Sequence, residues 1–114
     1  MNDLIQRLVE AIFRQEGMPA SWPNPGNLRA APWLTHPQIV KGFWHPTSRA
    51  EGVAGAVHVV ALHIAKGDSL AQLIEVWAPP TENNTAQYIA NVAKWAQISD
   101  PHIQLYKLLG VEQH

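Results

Sequence analysis

The sequence predicts an α+β fold that is predominantly helical, with about five helices and a small irregular or β-hairpin insertion after the first. Three observations predict it. Apolar residues recur at three- and four-residue spacings before residue 17 and again after residue 48, which is the period of amphipathic helices. Six of the nine prolines, Pro19, Pro23, Pro25, Pro32, Pro37 and Pro46, lie between residues 17 and 47 and exclude regular helix there. Within that stretch Ile39, Val40, Phe43 and Trp44 suit short extended pieces, such as a small hairpin.

Each element has its own signals. In the first helix Leu4, Ile5, Leu8, Val9, Ile12 and Phe13 form the apolar stripe, Asn2 or Asp3 caps the start, and Gly17 supplies the left-handed residue that follows a helix ending at about Glu16. From Ser48 a second helix carries Val53, Val57, Val60, Ala61 and Ile64, with Glu51 as capping-box partner and Gly67 as the stop. Ser69 caps a shorter helix with Leu70, Leu73, Ile74 and Trp77, ended by Pro79 and Pro80. Thr85 starts a fourth with Tyr88, Ile89, Val92, Trp95 and Ala96. Asp100 and Pro101 open a fifth with Ile103, Leu105, Leu108 and Leu109.

The 114 residues fit one domain, 1–114, and 46% apolar against 15% charged content favours a packed core over disorder. Eight basic against nine acidic residues, with no basic run, argue against a nucleic-acid partner. Without cysteine there are no disulfides or thiolate metal sites, and the compartment stays open. Charges interrupt the apolar pattern of the N-terminus, so it is read as neither signal peptide nor membrane span.

Two stretches carry candidate chemistry. In "RQEGMPASWPNPGNLR" Glu16 stands in the last helical turn, where the negative end of the macrodipole disfavours its charge, and burial beside Phe13, Met18 or Trp22 would raise its pKa further. A glutamate kept protonated is what a general acid requires. The plain alternative is a solvated helix-end residue. The loop that follows offers Asn24 and Asn27 around a Pro25-Gly26 turn, suited to hydroxyls and acetamides or else bonded to its own backbone. Arg29 suits a carboxylate or the loop itself. In "WAPPTENNT" Trp77 offers a flat apolar face to a sugar while Glu82, Asn83 and Asn84 offer polar groups. Alternatively, Trp77 is core and residues 82 to 85 only cap a helix.

The order E-G, N-P-G-N-L-R, W-A-P-P-T-E-N-N-T and Q-Y-I-A-N-V resembles a family of phage and bacterial proteins with the lysozyme-like fold, muramidases or lytic transglycosylases active on peptidoglycan. The resemblance runs from about Ile12 to Ile98. It implies that Glu16 is the catalytic acid, that Asn24, Asn27 and Asn83 belong to the substrate-binding loops, that Tyr88 lines the cleft near the acid, and that Glu82 is the best candidate for a second carboxylate, with Asp68 and Glu75 behind it; Arg29 and Trp77 join the substrate-binding set on the residue reading above. Relatives read E-N-D-T where this chain has Glu82-Asn83-Asn84-Thr85. The implied reaction is cleavage of the β-1,4 bond between N-acetylmuramic acid and N-acetylglucosamine by a monomer without cofactor or metal, acting on glycan strands outside the cytoplasm and delivered by another route. No aspartate lies between positions 17 and 67, which leans towards a single-acid mechanism.

The rival from another class is a glycan-binding or virion structural module on the same fold. A metal hydrolase built on His36, His45, His58, His63, His102 and His114 fits less well, because no H-E-x-x-H pair is present and His58 and His63 are five apart. No G-x-S-x-G elbow or phosphate loop occurs.

Overall fold

The first helix begins at an acidic residue and ends where a glycine takes over. In the computed structural model, which describes residues 3–109, α1 spans Asp3–Glu16 and buries Leu4, Leu8, Val9, Ala11 and Ile12. Leu4, Leu8 and Ile12 are fully buried, each worth about 1.5–3 kcal/mol as an upper estimate. Gly17, at φ 61°, donates to the Phe13 carbonyl and turns the chain out of the helix.

The proline-rich stretch then runs without regular structure to a hairpin, β1 (Ile39–Val40) and β2 (Phe43–Trp44), paired antiparallel with Ile39 opposite Trp44. Its two-residue turn places Lys41 and Gly42 at φ 51° and 83°, the twist that suits a tight hairpin. The Trp44 amide donates to Leu28 O at 2.9 Å, which fastens the hairpin to the preceding loop.

Helix α2 (Arg49–Ala65) starts at Ser48, whose side chain accepts from the Glu51 amide, while the Glu51 carboxylate accepts from the Thr47 amide rather than from Ser48. The buried face of α2 differs from the expected stripe. Val60 and Ile64 are buried, but Val53, Val57 and Ala61 are only partly so, and Gly52, Gly55, Ala56 and His63 complete the buried face. The helix turns its glycines, not its valines, toward the loop, because only there can backbone and aromatic rings come close. A Cβ on Gly55 would lie 2.5 Å from the Trp44 ring.

Helix α3 (Leu70–Trp77) opens with a full capping box between Ser69 and Gln72. Helix α4 (Thr85–Ala96) opens on Asn84, whose side chain accepts from the Gln87 amide, and closes on Gln97 in the left-handed conformation. The fifth helix expected from Asp100 is, within the described residues, a series of turns and a short 3-10 helix, Leu105–Leu108. The reason is a competing pairing. Ala71 donates to Pro101 O, Leu105 donates to Asp68 O, and Gln104 bridges to Ser69, so this segment is tied alongside the start of α3.

Helix α1 lies against both α2 and α4, and α3 packs on α4. One core joins them, with Ala56, Val60, Leu73, Ile74, Tyr88 and Val92 meeting the α1 stripe. Among the described residues no helix is long and apolar enough to cross a membrane.

Candidate active site

The last turn of α1 faces α4 with three successive residues. Arg14 stacks on the Trp95 ring at 4.3 Å, Gln15 accepts from Asn91 at 2.9 Å, and Glu16 Oε2 accepts from the Tyr88 hydroxyl at 2.7 Å. At the other end Arg7 donates to the carbonyl of Ala96, the last residue of α4, so the helices run antiparallel and their polar contacts fix the register. Tyr88 is 4% exposed. Its hydroxyl is committed to Glu16, and it does not line the small pocket described below, where the sequence placed it as a cleft-lining residue.

Burial is the main cause of a raised Glu16 pKa, opposed by hydrogen bonds from Tyr88 and Asn27 that favour the carboxylate. The sequence argument placed the macrodipole first. In the structure desolvation by the surrounding side chains leads. The Tyr88 hydroxyl is pushed upward too, by burial and by the adjacent carboxylate, so it remains a donor.

The loop builds the opposite side of the site. Asn27 adopts φ 52°, a left-handed conformation that asparagine tolerates, and its side-chain oxygen accepts from Trp22 Nε1 at 3.3 Å. That contact turns its amide nitrogen toward Glu16. Asn24 has the opposite fate. It is fully buried, donates to Leu28 O at 2.8 Å and Trp44 O at 2.9 Å, and accepts from Leu28 N at 2.9 Å. Expected to bind substrate, it instead holds the loop to the hairpin and has no face toward the cleft.

The third wall is the bend between α3 and α4. Thr85 Oγ1 donates to Ala78 O at 2.7 Å and the Glu82 amide donates to Pro79 O, closing the bend on itself. Asn83 keeps a long 3.3 Å bond to Pro79 O and is otherwise exposed. Asn84 serves as the α4 cap, a position that aspartate fills equally well. Trp77 donates its Nε1 to Gly26 O at 2.9 Å, and its ring lies where a Cβ on Gly26 would be only 2.8 Å away. Trp77 is thus only partly buried, with one edge anchored to the loop and the ring lining the cleft.

These walls enclose a small pocket of about 140 Å³ that brings together Glu16, Asn27, Arg29, Trp77, Glu82 and Asn83. Arg29 Nη2 meets Glu82 Oε2 at 2.7 Å across its rim, and the guanidinium lies 4.6 Å from the Phe43 ring centroid. Beyond that ion pair the cleft widens into a second space of about 450 Å³ that shares Asn27, Arg29, Trp77 and Glu82. Glu82 thus faces the same pocket as Glu16 with its charge already met by Arg29. Asp68 is held elsewhere, by His63 Nδ1 at 2.7 Å and Lys66 at 3.6 Å, and Glu75 is exposed on α3.

Phe43, Gly52 and Gly55 had no place in the site as read from sequence, and His63 entered that reading only as a poorly fitting metal ligand. Phe43, read only as a strand residue, lines the small pocket and supports Arg29. Gly52 and Gly55 allow α2 to approach the loop. His63 lies buried on α2, and the histidine-to-aspartate spacing of five across a helix end was the available signal. Among the described residues no group of three His, Asp or Glu side chains converges to hold a metal ion. No protein-family profile, curated protein or solved structure matches this chain, so its fold and site stand on their own geometry.

Proposed function

We propose that this chain is a peptidoglycan-cleaving glycosidase with a lysozyme-like fold, acting on the β-1,4 bond between N-acetylmuramic acid and N-acetylglucosamine, with Glu16 as general acid and base. The observation that carries the reading is the half-buried Glu16, with its pKa raised, held by Tyr88 and Asn27 at the edge of a polar pocket. With Oε2 occupied by the Tyr88 hydroxyl, the proton rides on Oε1 and is handed to the glycosidic oxygen as the bond to the sugar's C1 breaks.

The single-acid course is favoured over hydrolysis through a second carboxylate. Glu82 lines the pocket but is paired to Arg29, Asp68 is engaged by His63 and Lys66, and Glu75 lines neither space. In that course the Glu16 carboxylate accepts the proton of the muramyl C6 hydroxyl while its oxygen closes on C1. The product is an anhydro sugar, and Glu16 returns to its acid form.

Mass spectrometry of digested sacculi tests the proposal. Anhydro-muramyl ends from the native chain, and none from a folded Glu16→Gln variant, are expected. Reducing ends instead would shift the reading to a muramidase. Strands that are bound but left intact by the native chain would overturn catalysis and leave a glycan-binding module.

A further inference from the structure

The pocket that holds Glu16 is smaller than the substrate proposed for it. At about 140 Å³ it lies below the roughly 300–1,000 Å³ of small-molecule sites, and a bond between two sugars needs room on both sides of the acid. The missing room lies next to it. The larger space of about 450 Å³ shares Asn27, Arg29, Trp77 and Glu82 with the small pocket, so the ion pair of Arg29 and Glu82 borders both.

The two partners come from opposite walls. Arg29 ends the loop of residues 22–29 and Glu82 sits on the bend between α3 and α4, so their 2.7 Å contact crosses the cleft. Both walls are pinned. Asn24 holds the loop with three hydrogen bonds, and the bend is closed by Thr85 on Ala78 O and by the Glu82 amide on Pro79 O. The parts that can yield are the two long side chains, each about half exposed. The Phe43 ring, its centroid 4.6 Å from the Arg29 guanidinium, holds that group in the orientation that meets Glu82. Among the described residues lining the two spaces Arg29 is the one arginine or lysine, so no second cation there can take over Glu82.

Resting on the glycosidase reading, we propose that the Arg29 to Glu82 pair is a latch that keeps the cleft shut in the free chain and regulates entry of the glycan strand. When the two side chains swing into solvent, the small pocket and the larger space become one groove past Glu16. Water and salt screen so exposed a pair, so the open form stays a substantial minority and the latch lowers apparent affinity by about three- to fivefold.

Ionic strength tests the latch. The probe is an uncharged β-1,4-linked tetramer of N-acetylglucosamine, so salt acts on the protein and not on the ligand. It is titrated by calorimetry into the full chain in about 20 mM and about 500 mM NaCl. The native chain is expected to bind about three- to fivefold more tightly at the higher salt. Glu82→Gln, at an exposed position of the bend, is expected to match the high-salt native affinity at both concentrations. Native affinity that does not rise with salt, a Glu82→Gln chain that binds no more tightly than native at low salt, or no binding by either chain overturns the latch. Cleavage of sacculi alongside salt-independent binding removes the latch and leaves the glycosidase. The expected salt response without cleavage upholds the latch and removes the glycosidase reading instead.

Discussion

Replacing Gly52 by alanine sets two physical effects of opposite sign against each other. Alanine is favoured over glycine inside a helix by about 0.5–1 kcal/mol, so propensity alone makes the variant more stable. The structure opposes this, because a Cβ at position 52 would stand 1.9 Å from the Pro23 carbonyl oxygen and 3.0 Å from its carbon. Ordinary contact begins near 3.4 Å, so the helix and the loop must separate by about 1.5 Å. No flexible side chain can absorb that movement: the obstacle is backbone between Trp22 and Asn24, and Asn24 has its three hydrogen bonds committed. Overpacking against such an obstacle costs at the upper end of about 1–3 kcal/mol, leaving roughly 2 kcal/mol of net destabilisation. For a domain of this length that lowers the melting temperature by about 8 °C. Thermal and urea unfolding followed by tryptophan fluorescence read the change. A Gly52→Ala variant melting at or above the native chain would show that propensity wins and that the close approach of α2 to the loop is misjudged.

The other predictions concern the site. Glu16→Gln removes an acid whose folded pKa is raised above its ordinary value of 4.5. Its stability contribution is complete below that value and is lost as pH rises through the folded pKa, so the variant should gain stability over the native chain toward neutral pH and none in acid; parallel melting curves check this. Tyr88→Phe deletes a hydrogen bond that favours the carboxylate, so the alkaline limb of the cleavage rate should move to higher pH; an unchanged limb would remove Tyr88 from control of Glu16. Glu82→Gln should leave cleavage within about tenfold of native under the single-acid course, whereas a loss of about a thousandfold would restore a second carboxylate. Asn24→Ala strands the Leu28 amide in the loop and should cost about 2–3 kcal/mol in urea unfolding.

Much of the fold was legible because its signals are local. Caps at Ser48 and Ser69, the exits at Gly17 and Gly67, and the breaks at Pro79 and Pro80 act within a few residues, and the elements begin and end beside them. The orientation of α2 was not legible. Val53 and Val57 outweigh glycine on any scale of hydrophobicity, yet which face turns inward depended on what the proline loop would press against it. The last segment failed for a related reason. Asp100 and Pro101 form a good helix start, but pairing with the start of α3 offered the same backbone groups other partners. At the site, sequence singled out Glu16, Asn27, Arg29, Trp77, Glu82 and Asn83, which the chain does gather around one pocket. It could not tell Asn24 from Asn27. The two asparagines look alike in sequence, and only the positive φ at Asn27 and the burial at Asn24 send one side chain to the pocket and the other to the backbone.

The same close approach governs both fold and chemistry. Gly26 admits the Trp77 ring, Gly52 admits the Pro23 carbonyl, and Gly55 admits Trp44. The first two contacts hold the loop of residues 22–29 against α3 and α2, the third holds the hairpin against α2, and that loop carries Asn27 to Glu16 and Arg29 to Glu82. A polar pocket is costly to keep organised by polar groups alone, since its hydrogen bonds to substrate must remain available. Here the rigidity comes from apolar and backbone contacts behind the pocket. Widening the loop by one methyl group at Gly52 should therefore disturb Glu16 as well as stability. A Gly52→Ala chain that is destabilised yet keeps the native pH dependence of any cleavage would separate the two, and would mean that the Tyr88 contact alone positions the acid.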